Sequence, residues 1–212
     1  MEMTARLLAI SDRRAAPRPA LPETAALDDW LLALGRAGVE AVQIREKDLD
    51  DRGLYALVRR ARSLLPPAVR LLVNGRLDVA LAAGADGAHL PADGVPLAPL
   101  RRRFGPAVLL GRSTHRPEEV LAARRDGADY AVFGPVYPTP GKEGYGPPPG
   151  LAGLAVAARH GIPVYALGGV TLGRLAEVAA AGAAGAAGIR LFEAPGELPE
   201  LVAAAALAFR RP

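Results

Sequence analysis

Lysine occurs at two positions, Lys47 and Lys142, asparagine at Asn74 alone and glutamine at Gln43 alone, while arginine supplies the rest of the 26 basic side chains. There is no cysteine. Such a composition suits a heat-adapted protein, and a GC-rich coding bias produces the same pattern. In a chain that avoids these residue types, the positions that keep them are the first candidates for chemistry. Lys47 sits in the charged run Arg45-Glu46-Lys47, which reads as an anion or carboxylate site, with a solvated loop as the alternative. Histidine is also scarce, with three in the chain. His115 follows Gly111-Arg112-Ser113-Thr114. An imidazole titrates near neutrality, so it can take a proton from one atom and return it to another. His115 is therefore the candidate catalytic group, with Ser113 as a binding hydroxyl beside it. His89 closes an apolar run and reads as a buried, hydrogen-bonded histidine; His160 reads as a surface one. Gly168-Gly169-Val170-Thr171 offers a different chemistry: glycine lets backbone N–H groups approach an anion, and a following helix start adds its dipole. A plain structural turn is the competing reading.

Eight elements of one kind and eight of another must position these residues. Short β-rich runs fall at 7–11, 41–45, 70–73, 87–90, 107–111, 130–133, 163–167 and 186–191, each followed by a stretch of helical periodicity such as 54–65 or 117–125. Alternating strands and helices imply a parallel sheet. Eight such units in 212 residues fit a closed (β/α)8 barrel, residues 1–212 forming one domain, better than an open doubly wound sheet. No G-x-G-x-x-G opens the first helix, which weakens a dinucleotide-binding reading. A weak repeat agrees: Ala37-Gly38-Val39-Glu40, Ala83-Gly84-Ala85-Asp86, Asp126-Gly127-Ala128-Asp129 and Ala181-Gly182-Ala183-Ala184 each end an expected helix, with glycine as its left-handed cap.

In such a barrel the chemistry lies at the C-terminal ends of the strands. Gln43, Arg45 and Lys47 belong to the end of strand 2, Asn74 to strand 3, His89 to strand 4 and Arg112 to His115 to strand 5. Lys142 falls in the long Pro- and Gly-rich loop after strand 6, which reads as a lid or binding loop. Gly168 and Gly169 follow strand 7, and Arg190 lies near the end of strand 8. The expected site thus takes His115 as catalytic, Gln43, Arg45, Lys47, Asn74, Ser113 and Lys142 as substrate-binding, and Gly168, Gly169 and Arg190 as phosphate-binding, with no metal. Phosphate would sit by strands 7 and 8, across the mouth from His115.

Composition narrows the partners. Half of the residues are apolar and 23% charged, enough for a sizeable core. The net charge of +4 is spread along the chain apart from Arg101-Arg102-Arg103, and aromatics are 5%, which argues against a nucleic-acid partner. The absence of cysteine excludes disulfides, thiol catalysis and Cys-ligated metals. No apolar run reaches the length of a membrane span and no signal-peptide pattern opens the chain, so a cytoplasmic protein acting on a small phosphorylated molecule is expected, with a homo-oligomer left open.

Five stretches in order resemble the thiamine phosphate synthase and TenI-like thiazole tautomerase superfamily. They are Val42-Gln43-Ile44-Arg45-Glu46-Lys47, Val73-Asn74 through Gly84 to Leu90, Gly111-Arg112-Ser113-Thr114-His115 with Glu118-Glu119, Ala128-Asp129-Tyr130 through Phe133 to Thr139, and Ala166-Leu167-Gly168-Gly169-Val170. The resemblance implies a (β/α)8 barrel and a thiazole phosphate as substrate. Its synthase branch would require aspartates, holding Mg2+, where this chain has Gly75 and Gly94; Asp93 stands one position away. The resemblance therefore points to the tautomerase branch, a metal-free isomerase in which His115 moves a proton within a carboxythiazole phosphate. The alternatives are the synthase, joining hydroxymethylpyrimidine diphosphate to thiazole phosphate with Mg2+, and a non-catalytic phosphate sensor on the same barrel.

Overall fold

The computed structural model describes residues 3–13, 23–138 and 147–210, without the side chains of Glu23 and Thr24. Eight strands alternate there with eight α-helices: β1 Leu7–Ile10, α1 Glu23–Ala37, β2 Ala41–Ile44, α2 Asp51–Leu64, β3 Arg70–Asn74, α3 Leu77–Ala82, β4 Gly87–Leu90, α4 Leu97–Phe104, β5 Leu109–Thr114, α5 Pro117–Arg125, β6 Tyr130–Phe133, α6 Gly150–Ala158, β7 Val164–Leu167, α7 Leu175–Ala180, β8 Gly185–Gly188 and α8 Leu198–Ala208. All pairings are parallel, and β8 closes on β1 through Leu8↔Ala187, giving the (β/α)8 barrel.

Side chains alternate across each strand, so the same short runs build two cores. Leu8, Ala41, Leu72, Leu109, Tyr130, Tyr165 and Ala187 fill the barrel interior. Val42, Ile44, Leu71, Val73, Phe133 and Ala166 face outward into the helix layer, where Leu54, Val58 and Ala61 of α2 meet them. The ends of α2 follow from local chemistry. Asp50 accepts the Gly53 N–H at 2.7 Å, and Arg62 in the last turn donates to the Pro66 carbonyl at 2.7 Å.

The Gly repeat has a physical basis on both sides of the turn. Gly38, Gly84, Gly127 and Gly182 all take positive φ after α1, α3, α5 and α7, and the next N–H reaches back into the helix, as Val39 N does to Leu34 O at 3.0 Å. The acid that follows then receives a backbone N–H from within one residue of the start of the preceding strand. Asp86 accepts from Leu71 N at 2.8 Å, Asp129 from Leu110 N at 2.7 Å, and Glu40 from Arg6 N. Ala184 leaves the fourth copy without this clasp.

Three boundaries depart from the expected ones. β5 runs on to Thr114, so Arg112, Ser113 and Thr114 lie within the strand. β8 stops at Gly188, and Arg190 belongs to a 3-10 turn, Arg190–Phe192, beyond it. A second 3-10 turn, Leu172–Arg174, separates Gly168-Gly169 from α7, which is only six residues long. Strands of four residues leave little propensity signal at their ends, and β5 is extended by pairing with β6 up to Thr114↔Phe133. Among the described residues no helix is long and apolar enough to cross a membrane.

Candidate functional site

The ends of β1 and β2 are tied together by a buried carboxylate. Ser11 is fully buried; its hydroxyl accepts the Arg45 N–H at 2.9 Å and donates to Glu46 Oε1 at 2.5 Å. Glu46, 5% exposed, also accepts the Arg13 N–H at 3.1 Å and faces the Arg13 guanidinium at 3.5 Å. The middle residue of Arg45-Glu46-Lys47 is thus structural, while Arg45, 3.8 Å from Asp12, and the exposed Lys47 face outward at the mouth. Two clefts flank this turn. One, of about 330 Å³, is lined by Asp12 and Arg45 to Asp48. The other, of about 210 Å³, includes Lys47, Asn74 and Arg76.

Inside the mouth, Gln43, Asn74, His89 and Ser113 occupy the inner-face positions of four consecutive strands, by alternation from Ala41, Leu72, Gly87 and Leu109. Gln43 is 1% exposed, and its Nε2 has no hydrogen-bond partner among the described residues. A buried amide nitrogen in that state is rare and calls for an acceptor from outside the described residues, such as a water or a ligand. His89 is 3% exposed, with Nδ1 at 3.2 Å from the Tyr130 hydroxyl and Nε2 at 2.9 Å from Ser113 Oγ. Burial, and then the nearby Arg112 charge, push its pKa down to about 3, so it is neutral at physiological pH. Arg112 itself points outward and donates to the Pro91 and Val95 carbonyls at 2.6 and 2.7 Å, strapping the loop after β4.

On the far side backbone replaces side chains. His115 is exposed on the rim, its Nδ1 at 2.5 Å from the Gly134 carbonyl and its N–H donated to Glu119 at 2.7 Å. It therefore stands beside the strand 6 loop, not across the mouth from strands 7 and 8. From Gly134 the chain continues along β7: Val136 N–H reaches Leu167 O at 2.8 Å and Tyr137 N–H reaches Gly168 O at 3.1 Å. Gly168 and Gly169 have φ of 91° and 64°. A Cβ on Gly169 would lie 2.6 Å from Tyr137 Cβ, so both conformation and space require glycine. Arg174 locks this turn, donating to Gly169 O at 2.7 Å with its guanidinium 4.2 Å from the Tyr137 ring centre, while the Tyr137 hydroxyl donates to Glu177 at 2.7 Å. Arg190 is exposed beyond β8. Lys142 lies outside the described residues.

Tyr130, Ser11, Tyr137 and Arg174 had no sequence signal, because each acts through a partner far along the chain. Tyr130 and Tyr137 both sit in one of the five resembling stretches, Tyr130 as part of an apolar strand, but nothing in that stretch marked their partners.

The aspartates that the synthase resemblance would assign to Mg2+ are Gly75 and Gly94, and the donors present do not fit the ion. The space beyond Gly75 is open, and a Cβ on Gly94 would crowd Pro91 at 3.0 Å. Asp93 is exposed, Glu46 is committed to Ser11 and Arg13, and Asp51 and Asp78 are paired with Arg76. Among the described residues no group of three or more acidic, histidine or cysteine side chains could hold a metal, whereas magnesium needs several hard oxygen ligands.

A family model described as thiamine monophosphate synthase matches residues 8–192. The thiamine-phosphate synthase of Roseiflexus castenholzii is 42% identical over 178 residues, 82% of this chain and 74% of that protein. That of Salinispora arenicola is 41% identical over 185 residues, 86% of each. Among solved structures, a thiamine phosphate pyrophosphorylase from Pyrococcus furiosus superposes with a TM-score of 0.78 at 30% identity, covering 95% of this chain and 97% of that one. These relatives overturn the expected thiazole tautomerase and its isomerase chemistry, and with it the role of His115 as a tautomerising proton shuttle. Gly75 and Gly94 report on two metal ligands only, whereas similarity over most of the barrel sides with the synthases. The match takes in all eight strands and the turn after β8, and the chain belongs to the thiamine monophosphate synthase family of enzymes.

Proposed function

We propose that the protein is a transferase that joins a hydroxymethylpyrimidine diphosphate to a thiazole phosphate, with diphosphate as the leaving group. The observation that carries the reading is identity of 41–42% to proteins named thiamine-phosphate synthase across more than four fifths of the chain. The mouth supplies what the reaction needs. Gln43, whose buried Nε2 has no partner among the described residues, and Asn74 read as contacts to the pyrimidine side. Arg45 and Lys47 bring positive charge to the departing diphosphate, a role that falls to side chains where no magnesium ligands are built in. Gly168, Gly169 and Arg190 are assigned to the thiazole phosphate, since the loops after strands 7 and 8 are the common phosphate site of such barrels. Ser113 is assigned to an anion oxygen. His115, on the rim beside Gly134, and Lys142 complete the set as substrate contacts. No nucleic acid or membrane takes part in this reading, and the site of action is cytoplasmic.

The test is to supply both ring substrates to the purified protein, with and without Mg2+, and to follow thiamine phosphate and diphosphate. Equal amounts of the two products are expected. No product under either condition overturns the reading.

A further inference from the structure

Tyr130 is fully buried, and His89 Nδ1 is the one partner of its hydroxyl among the described residues. That decides the direction of the hydrogen bonds. Were the His89 proton on Nδ1, the phenol would accept it and its own hydrogen would be left unpaired in the core, an outcome buried donors rarely show. With the phenol donating, Nδ1 accepts and the proton sits on Nε2, which donates to Ser113 Oγ at 2.9 Å. The Ser113 hydroxyl hydrogen then has no acceptor among the described residues and turns to the mouth.

We propose that Tyr130 and His89 are positioning residues that hold the Ser113 hydroxyl as a committed hydrogen-bond donor toward a phosphate-type oxyanion of the substrate. The ligand class rests on the synthase reading; the direction of the relay does not. Several features preserve the relay. A Cβ on Gly111 would stand 2.1 Å from Tyr130 Cζ and 2.4 Å from its hydroxyl oxygen, so glycine there makes room for the ring to reach His89. Tyr165 meets Tyr130 edge-on at 5.7 Å and is itself anchored to Ala5 O at 2.6 Å. Burial keeps the imidazole neutral; a cation would donate from both nitrogens and strand the phenol hydrogen. A committed donor favours an anion oxygen and disfavours an amine, which adds selectivity to the charge attraction of Arg45 and Lys47.

The test combines nitrogen-15 NMR of the histidine rings with binding of inorganic diphosphate. In the wild type, His89 Nε2 should resonate as a protonated nitrogen and Nδ1 as an unprotonated one. Tyr130→Phe frees the tautomer, so the two shifts should move toward each other while diphosphate affinity falls about tenfold, the order for one hydrogen bond to a charged group. Ser113→Ala should lose the same factor, Ser113→Thr should retain affinity, and adding Tyr130→Phe to Ser113→Ala should cost nothing more. A wild-type His89 protonated on Nδ1 overturns the proposal, and that measurement stands even if a variant fails to fold. An equal loss from Tyr130→Phe in both backgrounds also overturns it. Neither readout needs turnover: a relay confirmed in a protein that makes no thiamine phosphate would remove the function reading alone.

Discussion

The two halves of the barrel mouth present their polar groups by different means. At the ends of β1 to β3 the groups are side chains, Arg45, Lys47 and Asn74, set beside an Arg76 that is paired with Asp51 and Asp78 and around a buried Glu46 that is occupied with Ser11 and Arg13. At the ends of β6 to β8 they are backbone groups, held by Gly168 and Gly169 and clamped by Arg174 and Tyr137. Side chains of the first kind adapt in length but are screened by salt. Backbone of the second kind adapts little and loses nothing on ordering, so it suits a group whose position must not vary. The reaction proposed above, which releases one anion and retains another, would use one half of each kind.

The sharpest way to break this contrast is Gly169→Asp. It puts a side chain at φ 64° against Tyr137 and a negative charge at the assigned phosphate. Thiazole phosphate affinity, read by calorimetry, should fall about 100-fold or more, the order for losing two charge-assisted hydrogen bonds, with the circular dichroism unchanged. Unchanged affinity would show that the glycine half holds no phosphate.

His89 stands between the halves and makes the barrel acid-sensitive. Its folded pKa of about 3 lies below the ordinary 6.5, so its contribution to stability is present above pH 6.5 and is lost as pH falls toward 3. Between pH 6.5 and about pH 5 the loss attributable to this group is about 2 kcal/mol. Measured by urea unfolding, the loss of stability from pH 6.5 to about pH 5 should be larger for the wild type than for His89→Asn by this amount. Equal losses would mean that the imidazole is not held neutral by burial.

A smaller effect separates the halves by their salt response. Lys47→Ala should weaken inorganic diphosphate binding about tenfold at low salt, shrinking toward no effect at 1 M, where the Debye length is about 3 Å. Gly169→Asp should keep most of its defect under the same conditions. Smallest of all, Mg2+ titrated into the protein alone should give no saturable heat. A measurable affinity would point to Asp93 as a ligand after rearrangement of its loop.

Much of the barrel was readable from residue order, because periodicity and turn chemistry are local. Pro117 with Glu118 and Glu119 marked the start of α5 to the residue, and Gly38, Gly84, Gly127 and Gly182 marked four helix ends. Strand ends were less readable, since four-residue strands are bounded by pairing with neighbours rather than by their own composition. This mattered at the site: counting β5 as finished at Gly111 hid that Ser113 faces the interior and Arg112 the outside. The branch of the family was misread for a related reason. Two missing aspartates are conspicuous in a motif, yet they speak only for the metal.

What the sequence determined by itself was the set of eight strand–helix units and the gathering of its rare Lys47, Asn74 and Gln43 at one end, because alternation and C-terminal strand position are properties of short windows. What only the tertiary structure decided was which of these groups are committed. Glu46 is closed off by Ser11 and Arg13 from across 33 to 35 residues, Gln43 Nε2 finds no partner among the described residues, and His89 Nδ1 meets the hydroxyl of a tyrosine 41 residues away. Hydrogen-bond direction in a core depends on every buried donor finding an acceptor at once. That condition exists only when the strands have closed into a ring and brought those residues together.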